Sequence, residues 1–280
     1  MPNLIKYAVE IAKKVNSNLI VVITKDENAK ESLDDDIKLF LAPRSYATML
    51  ESLFWSLEES KSLIDKNLVE KAAILFQNKE YISTFLYFKG IELDGNAVGV
   101  FNLDLLKGIL VVELDKSRIQ RILLECADRV NPAVLRAVLT IALNIAHKGR
   151  EGKKIGTAFV IGDVEEVLKR SNPLILNPYK GHPEKERDIT NPETWESVME
   201  FAQLDGVFVI GEDGIIEAAG RYLEVSGKDL KIKKGLGGRH LACASITRET
   251  EAIAVVVSES GDIKIYKDGE EILEINASIL

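Results

Sequence analysis

Apolar side chains follow two periods along this chain. Leu4, Ile5, Ala8, Val9, Ile11, Ala12 and Val15 recur at helical spacing and predict a helix over 4–15. Asn16-Ser17-Asn18 breaks that pattern, and the β-branched run from Leu19 to Ile23 reads as a buried strand. Residues 46–64 return to the helical period, and residues 72–76 and 108–112 read as two more strands. Helices alternating with buried strands predict an α/β unit with a largely parallel sheet. Ser117 then offers an N-cap for a helix over 117–127. Asn131-Pro132 opens a second helix over 132–147, apolar on more than one face.

Strand signals strengthen after the polar stretch 149–154. Residues 157–161 predict a strand and 164–170 a helix. Pro173, Pro178, Pro183 and Pro192 crowd the segment 172–192, which reads as a long irregular connection of the kind that often carries function. A helix over 193–204 leads to strand 207–210, a turn at Glu212-Asp213-Gly214 and a return strand at 215–217. A helix over 239–249, a buried strand over 252–257 and a period-2 strand over 262–266 complete the chain, with a hairpin turn at Lys267-Asp268-Gly269-Glu270. Trp55 and Trp195 read as packing residues.

Composition narrows the class. A chain of 280 residues accommodates two domains, placed at 1–118 and 119–280. With 46% hydrophobic and 29% charged residues it is neither disordered, collagen-like nor a disulfide scaffold. A net charge of −8 argues against a nucleic-acid partner, which would need a local basic patch. Cys126 and Cys243 lie far apart and read as small buried residues of a reducing compartment. His147, His182 and His240 do not cluster, which argues against a local zinc site. No run approaches the ~18 apolar residues of a membrane span, and the first residues lack a signal peptide's apolar core. The expectation is a cytoplasmic protein with no membrane contact.

Three segments could carry chemistry. Lys231 to His240 packs three glycines, three lysines, an arginine and a histidine into ten residues. Glycines let backbone N–H groups approach an anion, and a helix starting near Arg239 adds its positive dipole end, so a polyphosphate cradle is one reading. A glycine turn with solvated lysines is the other. Asp205-Gly206 precedes an apolar strand, where a carboxylate holds a metal or acts as a base, or simply turns the chain. Ser258-Glu259 follows a buried strand, placed either for ligand binding or as a capped turn.

The order of these segments adds what none has alone. Asp205-Gly206-Val207, Leu223, Gly237-Gly238-Arg239-His240 and Ser258-Glu259-Ser260-Gly261 together resemble the diadenylate cyclase family, and most closely its archaeal members. The family carries Asp-Gly-Ala, a downstream leucine, Gly-Thr-Arg-His-Arg and Ser-Glu-Glu-(Ser/Thr)-Gly, and the similarity covers roughly residues 120–280. The resemblance implies a mixed β-sheet flanked by helices. It implies condensation of two ATP molecules into cyclic di-AMP with release of two pyrophosphates, across facing subunits of a homo-oligomer, with Mn²⁺ or Mg²⁺.

By that resemblance Asp205 helps activate the ribose 3′-OH, and Gly206, Val207 and Leu223 contact the adenosine. Gly237, Gly238, Arg239, His240 and Leu241 lie at the triphosphate, with Arg239 and His240 catalytic beside Asp205. Ser258 and Glu259 border the phosphates, and Asp205, His240 and Glu259 hold the metal. Val207, Gly238, Leu241 and Ser260 depart from the family's alanine, threonine, arginine and glutamate. Gly238 and Leu241 keep open an alternative: a catalytically impaired relative that binds ATP or cyclic di-AMP as a regulatory module. The first ~115 residues loosely resemble the C-terminal domain of pyruvate kinases, which implies a smaller α/β domain; a regulatory or assembly role is the expectation for it, and a plain structural extension the alternative.

Overall fold

A computed structural model of the chain describes residues 2–26, 28–33, 36–59, 77–149, 154–224 and 237–280. The chain divides into two compact units, Met1–Arg121 with Ile279–Leu280, and Ile122–Ser278.

The first unit holds α1 (Pro2–Lys14), β1 (Leu19–Thr24), β2 (Ser32–Leu33), β3 (Lys38–Leu41), α2 (Arg44–Glu59), a helix over 77–88 (α3), β4 (Asn96–Asn102) and β5 (Lys107–Glu113). Its strands lie in the order β2-β3-β1-β4-β5. β1 runs parallel to β3 and β4, while β2–β3 and β4–β5 are antiparallel. The sheet expected to be largely parallel is therefore mixed. The short link between β4 and β5 permits only an antiparallel return. α1 lays Ala8 and Ala12 against Ile20, Val22, Val98 and Val100, the face its period predicts. β4 escaped the pattern because Gly99 interrupts it; a Cβ there would meet Ile82 Cδ1 at 2.5 Å, so glycine lets α3 close on the strand. The strand expected at 72–76, the helix beyond residue 59 and the Trp55 side chain lie outside the described residues.

The division falls within α4 (Arg118–Cys126), which the Ser117 hydroxyl caps by accepting from the Gln120 amide at 3.3 Å. Asn131 caps α5 (Pro132–Lys148) by accepting from the Ala133 amide at 2.9 Å, with Pro132 in the first turn. Then come β6 (Thr157–Ile161), α6 (Val164–Lys169), β7 (Ser171–Pro173), α7 (Trp195–Phe201), β8 (Val207–Ile210), β9 (Ile216–Leu223), α8 (Gly238–Glu249), β10 (Ile253–Val257), β11 (Asp262–Lys267) and β12 (Glu270–Asn276). The sheet order is β12-β11-β10-β6-β8-β9-β7. Only β6–β8 is parallel, so this sheet too is mixed and flanked by helices. Asp268 and Gly269, both at positive φ, form the expected two-residue turn between β11 and β12.

One face of this sheet places Ala158, Val160, Val207, Val209, Ala254 and Val256 against Cys243, Ala244 and Ile246 of α8. The alternation of strand side chains sends Phe159 and Phe208 to the other face, where they stack at 5.0 Å. α5 is buried along most of its length and packs on β10, β11 and α7. Both cysteines are buried and free, and burial pushes the thiols up to about 11 at Cys126 and about 12 at Cys243. No described helix is long and apolar enough to cross a membrane.

Candidate active site

β6 and β8 begin at the sheet edge where β9 and β10 end, because β6–β8 is parallel and its neighbours run the other way. The start of α8 lies over that edge. A cavity of about 610 Å³ opens there, lined by Asp205, Gly206 and Val207 on one side and by Gly238, Arg239, Leu241, Ala242 and Ser245 on the other. Arg221, Tyr222 and Leu223 at the end of β9, with Leu174, complete the wall. Its size falls within the range of small-molecule sites.

Gly206 is glycine for two local reasons. Its φ is +100°, and a Cβ would lie 2.6 Å from Arg221 O and 2.7 Å from Arg221 N. The β8 entry thus passes flush against β9, which leaves the exposed Asp205 carboxylate at the cavity rim. Gly237 and Gly238 differ: a Cβ at either would meet nothing within 4 Å. Gly237 caps α8 without any side-chain bond. The twelve-residue α8 thus starts beside Arg239 without a side-chain cap, and a helix start of this kind suits an anion.

The two arginines of the cavity are in different states. Arg221 donates from Nε to Ser171 Oγ at 3.1 Å and from Nη2 to Leu168 O at 3.0 Å and to Ser171 O. Burial lowers its pKa. Arg239 has no ion pair or hydrogen bond from its guanidinium among the described residues, so its charge is uncommitted.

Seven of the residues expected at the site share this cavity: Asp205, Gly206, Val207, Leu223, Gly238, Arg239 and Leu241. Gly237 adjoins it as the α8 cap. His240 does not line it. Its ring is buried and its Nδ1 lies 3.0 Å from Tyr266 Oη. Burial first, then the Lys264 and Arg239 charges, hold its pKa below the ordinary histidine value against Glu271 and Glu274.

Ser258 does not line the cavity either. Its hydroxyl accepts from the Asp262 amide at 3.1 Å and lies 2.6 Å from Ser260 Oγ, as a turn cap does. Glu259 is exposed, and its Cγ and Arg239 Nη1 approach the same point above Gly156. No three His, Cys, Asp or Glu side chains among the described residues group to hold a metal ion, and the His240 ring faces Tyr266 rather than the cavity. The reason is the helix: one residue beyond Arg239, His240 turns toward the sheet while Arg239 faces the cavity. Lys231 to Leu236 of the basic loop lie outside the described residues.

The sequence reading missed Leu174, Arg221, Ala242, Ser245 and Gly156. Helical spacing from Gly238 would have found Leu241, Ala242 and Ser245 as one stripe. No local signal marks Leu174, Arg221 or Gly156.

Residues 144–271 match the family described as "DisA bacterial checkpoint controller nucleotide-binding" (DAC). Residues 3–115 match "Probable sensor domain DacZ_A". A diadenylate cyclase of Methanocaldococcus jannaschii is 43% identical over 153 residues, covering 54% of this chain and 48% of that protein. One of Haloferax volcanii is 43% identical over 151 residues, covering 53% and 55%. The match spans about half the length of each relative. Among solved structures, a double mutant of DacA from Staphylococcus aureus is 25% identical with a TM-score of 0.35, covering 52% of this chain and 89% of that one. A hypothetical membrane-spanning protein from Bacillus cereus is 15% identical with a TM-score of 0.39, covering 80% and 85%.

Proposed function

Taking residues 144–271 as a domain of the diadenylate cyclase family with archaeal relatives, we propose that this chain condenses two ATP into cyclic di-AMP and two pyrophosphates. One observation carries the reading: Asp205 and the uncapped start of α8 with the uncommitted Arg239 line one cavity.

The division of labour follows from charge. The α8 amides and Arg239 hold the triphosphate and draw off the charge that builds on the leaving pyrophosphate. The 3′-oxygen of one nucleotide attacks the α-phosphorus of the other, the bond to the β-phosphate oxygen breaks, and pyrophosphate departs. Asp205 takes the hydroxyl proton. A second identical transfer closes the ring. Positioning supplies most of the rate. The donor set suits Mn²⁺ or Mg²⁺ only in part. Among the described residues Asp205 is the cavity's single carboxylate, and such ions commonly use one or two carboxylates plus substrate phosphates. Bound there, the ion would neutralise phosphate charge; His240 is withdrawn from that role.

A single cavity faces one ATP, so the reaction needs a second copy of the chain. Leu174 and Tyr222, 50% and 57% exposed at the cavity wall, supply apolar surface for that contact. The N-terminal unit, matched as a probable sensor domain, would adjust turnover. Leu241 favours a second reading: at 40% exposure it puts an aliphatic side chain where the family has an arginine, so ATP binding without turnover is the alternative.

Purified protein incubated with ATP and Mn²⁺ or Mg²⁺, with products read by mass spectrometry, decides between them. Cyclic di-AMP from the native chain, and none from Asp205→Asn at unchanged ATP affinity, is the expected result. Tight ATP binding with no product would favour the binding module. Specific activity should fall on dilution once sizing shows monomers.

A further inference from the structure

α8 presents Gly238, Leu241, Ala242 and Ser245 to the cavity, one continuous stripe of the helix. Ser245 lies seven residues beyond the helix start, roughly 10 Å along the axis. An anion held at that start leaves Ser245 at the opposite end of the stripe.

What distinguishes Ser245 is a bond it does not make. A serine or threonine inside a helix commonly returns its hydroxyl to a carbonyl one turn back. Ser52, Ser83, Thr84 and Thr140 do so at 2.8–3.1 Å. On α8 itself Thr247 bonds Ala244 O at 3.0 Å, and Thr250, just past its end, bonds Ile246 O at 2.7 Å. Ser245 is 1% exposed, and its Oγ is buried with no hydrogen-bond partner among the described residues. A buried hydroxyl without a partner is destabilising, and buried polar groups without one are rare. Here it sits in the wall of a ligand cavity.

We infer that Ser245 is a specificity-determining residue that hydrogen-bonds a nitrogen on the edge of the purine base. The inference rests on the ATP-site reading above and extends it from the phosphates to the base. A hydroxyl both donates and accepts, so it answers either a ring nitrogen or an amino group. Val207, Leu223 and Ala242 line the same cavity and supply apolar contact for the ring faces. Phosphates at the helix start and base at Ser245 give the nucleotide one direction along α8.

The test measures dissociation constants for ATP and for inorganic tripolyphosphate, with the melting temperature, on the full chain and its Ser245→Ala variant. ATP should weaken by roughly 3- to 10-fold, the scale of one hydrogen bond. Tripolyphosphate should bind unchanged, because its contacts lie at the other end. The melting temperature should hold or rise, since the variant removes an unpaired buried hydroxyl. Ser245→Cys, of similar shape but a weaker donor, should fall between. Unchanged ATP affinity in Ser245→Ala, or equal weakening of ATP and tripolyphosphate, would overturn the inference, and so would unfolding of both variants. A native chain that binds tripolyphosphate but not ATP would instead sink the ATP-site reading itself, and the inference with it.

Discussion

Gly156 precedes β6, and its missing side chain makes room for Arg239. A Cβ there would lie 2.7 Å from Arg239 Nη1, 3.3 Å from Glu259 Cγ and 3.4 Å from Val257 O. Its φ lies outside the left-handed region, so the backbone accepts alanine. Gly156→Ala should therefore fold, with the unfolded chain's lost freedom contributing about 0.4–1 kcal/mol of stability. The guanidinium, however, must retreat from 2.7 Å to at least 3.4 Å, and it hangs on a side chain that can move. On the proposed reading that displacement would spoil a charge-assisted hydrogen bond to phosphate worth about 1.5–3 kcal/mol, or roughly 10- to 160-fold in kcat/KM. Cyclic di-AMP formation by mass spectrometry and melting by calorimetry read the two effects separately. Arg239→Ala alone should match or exceed the loss, and the double variant should be no worse than Arg239→Ala, because both act through one group. Losses that multiply in the double variant would refute the reasoning, as would full activity in Gly156→Ala.

Two further outcomes follow from the same geometry. Gly206→Ala meets three β9 backbone atoms and keeps a φ of +100°, so chemical denaturation should show a loss of about 2–4 kcal/mol; native stability would refute the close packing of β8 on β9. His240 has a folded pKa below its unfolded value of 6.5 because burial and the Lys264 charge disfavour its cation. The unfolded chain then binds a proton the folded chain refuses, so stability should be level above that value and fall as pH drops through it. A series of melting temperatures should show this decline shrinking in His240→Gln, and an identical profile in the variant would count against a buried neutral ring.

Much of this fold is legible from periodicity because several of its strands are buried along their whole length and α4 and α5 carry side-chain caps. β6 and β10 are wholly buried runs and stand out as such. Asn131-Pro132 and Asp268-Gly269 mark their helix start and turn by local chemistry alone. β4 was hidden because its glycine serves a contact with Ile82 from α3, which no window of sequence contains. The cavity shows the same limit. Asp205, Leu223 and Arg239 could be picked out because a family pattern spaces them. Gly156 could not, because its role is to lack a side chain opposite one from residue 239. His240 lies away from the cavity for a related reason: adjacency to Arg239 in sequence is a turn of about 100° on a helix, enough to face the sheet instead.

Leu241 sharpens what the remaining charges must do. The family's arginine at that place would have put a third guanidinium on the cavity wall, beside Arg221 and Arg239. Arg221 is there but is no replacement, because its Nε and Nη2 already tie β9 to Leu168 and Ser171. Arg248 shares the helix but lies seven residues on, roughly 10 Å along the axis, and does not line the cavity. Among the described residues this leaves Arg239 as the cavity's one uncommitted guanidinium. On the proposed reading the amides at the start of α8, which carries no side-chain cap, would take up more of the phosphate charge.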